Sequence, residues 1–165
     1  MKINEYVVVK SDNGLPALKV SHIYETKIED YTSYGNMAAM LDEIFYLSYL
    51  NEEYMYVISL DSGSHIKGVY ELAHGCHNSV TAYSKELFIF LLLSGATQFV
   101  IVHNHPSGVL EASEEDKKWT ASMQMSANIL HIDFLEHIIV TEDGFITIKD
   151  EKNAYDCINW DKITL

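Results

Sequence analysis

Gln98-Phe99-Val100-Ile101-Val102-His103-Asn104-His105-Pro106-Ser107-Gly108 decides how the rest of the chain is organised. Gln98 to Val102 carries no charge and reads as a buried strand, which Pro106 and Gly108 then break and turn. Side chains two apart on a strand share a face, so His103 and His105 project together and Asn104 points away. Ser113-Glu114-Glu115-Asp116 follows the turn, with Asp116 eleven residues after the second histidine. Two imidazoles on one face, a tight turn and a carboxylate make a three-ligand metal site. Zinc accepts such N and O donors, and a catalytic zinc keeps its fourth position for water.

Working outward, Ser84 to Ser94 reads as a helix ending at Gly95. Leu87 to Leu93 is apolar all round, so burial on most faces is expected there. Downstream, Ser113 opens a helix through about Ile129, with Trp119, Met123, Ala127 and Leu130 as its inner stripe. His131 to Thr141 reads as a strand, Glu142-Asp143-Gly144 as a hairpin turn and Phe145 to Ile148 as the last strand. Upstream, Tyr54 to Leu60 and Ile66 to Leu72 form a hairpin about Asp61-Ser62-Gly63-Ser64, and Ala73 to Val80 reads as irregular. Met37 to Leu50 has helical spacing, with Leu41, Phe45 and Ser48 in one stripe, Asn36 as N-cap and Asn51-Glu52-Glu53 closing it. Tyr6 to Val9 and Lys19 to Glu25 are short strands about Asp12-Asn13-Gly14. Residues 1–36 are thus a short N-terminal extension, 37–150 the domain, and 151–165 a tail whose Tyr155, Ile158, Trp160 and Ile163 can pack back. Helices alternate with strands, but two hairpins interrupt a pure βαβ scheme. A mixed β-sheet flanked by helices, an α/β or α+β layer domain, is the expected fold.

Composition bounds the partners. The chain has 165 residues, 48% of them apolar, enough for a real core. Net charge is −13, and every basic residue is lysine. That argues against nucleic acid as a partner, because phosphate binding rests on clustered Lys and Arg. Cys76 and Cys157 form no CxxC pattern and no disulfide framework. No charged head leads into an apolar core between Met1 and Glu25, and the longest apolar run is far shorter than the ~20 residues a membrane helix needs. A cytoplasmic setting without a membrane is the expectation; the oligomeric state stays open.

A metal hydrolase also needs a base near the metal-bound water, and Glu53, just before the strand 54–60, is the candidate if that strand lies beside 98–104. Glu53 before a strand, then His103-x-His105, then Ser113-x-x-Asp116, resembles the JAB/MPN+ (JAMM) metalloprotease pattern. The wider run His103 to Gly108, with Glu136-His137-Ile138-Ile139-Val140 downstream, looks like the RadC family in particular. The resemblance implies the JAB/MPN (cytidine deaminase-like) layer fold. It implies Zn2+ held by His103, His105 and Asp116. Glu53, or the adjacent Glu52, would be the general acid/base working through a zinc-activated water, and Ser113 would donate to an oxyanion. The implied reaction is hydrolysis of a peptide or isopeptide bond in a peptide or protein substrate. The alternative is a RadC-like accessory role in DNA repair or other DNA transactions, binding or cutting nucleic acid; a non-catalytic scaffold is a third reading. Relatives usually carry a helix-hairpin-helix-like region at the N-terminus, a Pro-Arg pair where this chain has Ser84-Lys85, Asp where it has Glu136, and Pro where it has Ala112. These departures remove no ligand and weaken the DNA-linked role.

Each residue also has a plainer explanation. Ser113 to Asp116 is equally a helix capping box. His74, Cys76 and His77 match no metal spacing and are taken as loop residues, with a place along the substrate groove open to them. His131 and His137, six apart on one strand, are expected on the same face, for packing or hydrogen bonding.

Overall fold

Among the described residues, the strand 98–104 lies inside a seven-stranded mixed sheet. The structure is a computed structural model and describes residues 1–28, 30–75 and 84–149. Its strands are β1 (Lys2–Lys10), β2 (Pro16–Glu25), β3 (Glu53–Leu60), β4 (Ile66–Gly75), β5 (Gln98–Asn104), β6 (Asp133–Thr141) and β7 (Gly144–Thr147). The helices are α1 (Tyr34–Phe45), α2 (Ser84–Ser94) and α3 (Glu114–Leu130), with a 3-10 turn at Leu47–Tyr49. The order across the sheet is β2-β1-β4-β3-β5-β6-β7. β5 pairs antiparallel with β3 and parallel with β6, the latter reached through α3. The fold is α+β, as the alternation of elements predicts.

Period-2 alternation assigns the two faces of the sheet. Met55 and Val57 of β3 and Phe99 and Ile101 of β5 pack under α2 (Leu87, Phe90, Leu91) and α3 (Met123, Ala127). Tyr56, Ile58, Leu60, Val100 and Val102 pack on the other face, against Met37, Met40 and Leu41 of α1. The core is therefore two apolar layers, one on each side of β3 and β5. β1 and β2 join the same sheet, because β1 pairs parallel with β4 through Glu5–Val69 and Tyr6–Tyr70.

Several boundaries differ from the sequence expectation. α1 begins at Tyr34 because Ser33, not Asn36, is the N-cap: the Asn36 amide donates to Ser33 Oγ at 3.1 Å. It ends at Tyr46, which adopts a left-handed φ of 54° without a glycine to mark the stop. Ser48 thus lies beyond the helix, donating its amide to Asp42 Oδ1, and Glu53 opens β3 instead of closing a helix. Ala73 to Gly75, read as irregular, extend β4. Leu92 and Leu93 of α2 and Leu130 of α3 are exposed, so those apolar stripes are narrower than their sequences suggest. His131 is not in a strand at all. It caps α3 with a left-handed φ of 55°, so it shares no strand face with His137. The remaining irregular stretch after Gly75, with Cys76 and His77, and the tail 151–165 with Cys157 lie outside the described residues. No helix among the described residues is long and apolar enough to cross a membrane.

A β-bulge in β6 decides which way His137 points. Phe99 lies opposite Phe134 but Val100 lies opposite Glu136, so Leu135 is skipped in the pairing. Phe134 and His137, three apart, consequently face the same α2/α3 layer, where strict alternation would put them on opposite faces. The buried Glu136 carboxylate holds the bulge. Its Oε1 accepts from the amides of His137 and Lys149, each at 2.8 Å.

Candidate metal centre

Strand register brings the first three groups together. His103 lies opposite Met55 in the β3/β5 ladder, and Glu53 shares the face of Met55 two residues earlier. The strand end of β3 and that of β5 therefore meet, as the position of Glu53 requires. His105 follows β5 with its amide donating to Val140 O at 3.0 Å, which fixes the turn at Pro106 beside β6. Asp116 arrives from the first turn of α3. Glu53, His103, His105 and Asp116 each bring one N or O atom into a cluster whose members lie within 4.8 Å of one another. His103 Nε2 is 3.0 Å from His105 Nε2, 3.4 Å from Asp116 Oδ1 and 3.7 Å from Glu53 Oε1, and His105 Nε2 is 3.5 Å from Asp116 Oδ2. Of the two adjacent glutamates, Glu53 is the one that reaches the histidines; Glu52 is exposed.

These donors fit a small divalent cation. Neighbouring ligand atoms around a tetrahedral zinc lie roughly 3.3 Å apart, given bond lengths near 2 Å. The observed separations of 3.0–3.7 Å bracket that value. The chemistry of His105 agrees. Its Nδ1 is 2.9 Å from Val109 O, a pure acceptor, so Nδ1 carries the proton and Nε2 turns its lone pair to the cluster. Zn2+ suits this N/O set, and His103, His105 and Asp116 could hold it with Glu53 beside them; the set alone does not single out one metal.

The capping box and the ligand arrangement at Ser113–Asp116 coexist. The Asp116 amide donates to Ser113 Oγ at 3.1 Å, while the Ser113 amide and hydroxyl donate to Asp116 Oδ2 at 2.8 and 2.6 Å. The box aims Oδ1 at His103 and Oδ2 at His105. It also occupies the single hydroxyl proton of Ser113.

Burial sets the charge states. The His103 side chain is fully buried, and this desolvation pushes its pKa down to about 4. Burial likewise holds Glu53 above the usual carboxylate range, opposed by the nearby His105. Burial works against a charged His105 too, but the bonds to Asp116 and Val109 O leave its pKa raised. Asp116 moves the other way: burial would raise it, and the contacts with His105, His103 and Ser113 outweigh that and hold it well below its ordinary value.

Three residues the sequence reading left without a site role surround this cluster. Asn104, turned to the α1 face, accepts from the Tyr54 amide at 2.7 Å and donates to Glu52 O at 3.0 Å and Leu50 O at 3.4 Å. It thereby grips the backbone on both sides of Glu53. His137 Nε2 lies 2.8 Å from His103 Nδ1, and Thr120 Oγ1 lies 2.6 Å from His137 Nδ1. The hydrogen-bonding role expected of His137 is thus found, on His103 and not beside His131. Thr120 sits one helical turn after Asp116, a spacing that signals a shared face. His74, by contrast, is half out in solvent, stacked on Tyr54 and bonded to Glu71, away from the cluster.

Comparison with known proteins agrees with this geometry. A family model described as RadC-like JAB domain matches residues 32–153. A UPF0758 protein of Clostridium perfringens is 29% identical over 133 residues, covering 81% of this chain and 56% of its own. A UPF0758 protein of Clostridium novyi is 32% identical over 119 residues, 72% of this chain and 51% of its own. One from Desulfitobacterium hafniense is 30% identical over 104 residues, 63% and 46% respectively. The chain spans about half the length of these curated relatives. It belongs to the RadC-like JAB domain family, whose fold is compatible with metal-dependent hydrolysis.

Proposed function

We propose that this domain is a zinc-dependent hydrolase of amide bonds, a peptidase or isopeptidase of the JAMM type. The observation that carries the reading is the meeting of Glu53 with His103, His105 and Asp116, a second carboxylate beside three ligands of the right kind. His103, His105 and Asp116 would hold the ion. When bound, zinc lowers the pKa of a water to about 7 and polarises a carbonyl. Glu53, half-buried and raised in pKa, takes the proton of the attacking water and delivers it to the leaving amine. Ser113 steadies the oxyanion by turning its hydroxyl from Asp116 Oδ2 to the substrate oxygen.

An open pocket lined by Ser107, Val109, Glu111 and Lys117 lies beside His105 and Ser113, where a substrate can approach the cluster. The −13 charge and the absence of arginine count against nucleic acid in it. The test is zinc analysis together with peptide hydrolysis. Wild type is expected to carry zinc and cleave, and Glu53→Gln to keep zinc and lose cleavage. Metal-free wild type after gentle preparation would overturn the reading.

A further inference from the structure

The contact between His103 and His137 is a tautomer problem with a single solution. Thr120 Oγ1 lies 2.6 Å from Asp116 O and 2.6 Å from His137 Nδ1. The carbonyl can only accept, and a hydroxyl has one proton, so Thr120 donates to Asp116 O. His137 must then donate Nδ1–H to Thr120. Both histidines are fully buried, and the His137 ring is bonded to a hydroxyl and a second imidazole, neither of them a charged partner, so His137 has one N–H and its Nε2 is a lone pair. That lone pair, 2.8 Å from His103 Nδ1, accepts a proton from it. His103 Nε2 is left bare, aimed at Asp116 Oδ1 and His105 Nε2.

We propose that Thr120 and His137 are positioning residues that lock His103 in the Nδ1–H form and so keep its Nε2 lone pair available to the cation. The proposal rests on the metal-centre reading above. The chain of donors starts and ends on Asp116: its carbonyl receives the Thr120 proton, and its carboxylate faces the lone pair that this proton sets. One helical turn of α3 therefore supplies a ligand and also the group that orients a second ligand. A metal-bound histidine commonly donates its other N–H to a carboxylate, carbonyl or water. Here a second histidine takes that place, and a second histidine can hold its proton on either nitrogen, so Thr120 is what removes the ambiguity.

Thr120→Val keeps the shape and deletes the hydroxyl. His137 then has no acceptor at Nδ1 and is free to carry its proton on Nε2, which drives the His103 proton onto its own Nε2. Zinc affinity, measured against a chromophoric chelator, is expected to fall roughly 10- to 100-fold in Thr120→Val, with Thr120→Ser restoring it. Long-range proton–nitrogen NMR of the metal-free protein is expected to show Nδ1–H on His103 in wild type and Nε2–H in Thr120→Val. Unchanged zinc affinity in a folded Thr120→Val protein overturns the proposal. So does Nε2–H on His103 in metal-free wild type, a measurement that needs no variant to fold. Failure of wild type to bind zinc overturns the metal-centre reading instead, and is distinguished from the first two by the wild-type titration alone.

Discussion

His103 and Asn104 are neighbours at the end of one strand, both buried, and they face opposite sides of the sheet. On the α1 side, Asn104 has its amide fully occupied by Tyr54, Glu52 and Leu50, three backbone groups at fixed places. On the α2/α3 side, His103 and His105 aim Nε2 atoms at each other across 3.0 Å, with carboxylates close by. The first face is closed within itself; the second converges on a point where the chain supplies acceptors in excess. Burial of polar groups serves a framework in one case and a ligand in the other. What separates them is whether the hydrogen bonds balance inside the protein.

The largest effect that separates the two faces should come from zinc. At a hundredfold excess over its dissociation constant, a ligand that binds only the folded state stabilises it by about 2.7 kcal/mol. Urea unfolding should show that gain in wild type and in Asn104→Ala alike, and no gain in His103→Ala. A gain in His103→Ala would mean the metal sits elsewhere. Next in size, Asn104→Ala leaves two carbonyls and an amide without their partner, and should cost about 1–3 kcal/mol in unfolding free energy whether or not zinc is present.

A smaller effect should follow pH. His103 ordinarily titrates near 6.5 but near 4 in the fold, so between those values the unfolded chain binds a proton that the folded one resists. Unfolding free energy of the metal-free protein should therefore fall as pH drops from 6.5 toward 4, by on the order of 1 kcal/mol in the first unit. Buried His137 adds with the same sign, Glu53, raised above 4.5, opposes it toward the acid end of this window, and His105, raised, opposes it above 6.5. Zinc is held by deprotonated ligands and should steepen the slope, and a flat profile in the metal-free protein would contradict the effect assigned to His103. Smallest of all, Glu53→Gln replaces a carboxylate whose charge burial disfavours with a neutral amide of the same shape, and should leave the unfolding free energy unchanged or slightly higher, although it removes cleavage.

The central strand, its turn and the helix at Ser84–Ser94 could be read from sequence because breakers bound them: Gly95, Pro106 and Gly108 stand where the chain stops. The first helix was harder, since Tyr46 adopts a left-handed conformation no propensity signals, and the true cap lies three residues before Asn36. The convergence of Glu53 with the two histidines followed from parity and register, given that β3 and β5 pair. Asn104 was legible only as pointing away, because its partners are backbone groups some 50 residues distant in sequence. His137 was read with His131 because alternation was carried through a helix cap and a bulge, neither of which shows in the pattern of apolar residues.

That bulge acts on β6 like a frameshift in a two-letter code. Every residue after Leu135 faces the side opposite to the one its distance from Phe134 would dictate, and His137 reaches His103 only in the shifted frame. The site therefore depends on the length of this strand as well as on its composition. Removing one residue between Phe134 and His137 would leave every side chain of the metal cluster in the sequence and still turn His137 away from it, whereas a compensating deletion and insertion would restore the frame. Glu136, bonded to the amides of His137 and Lys149, is the punctuation mark that holds the frame in place.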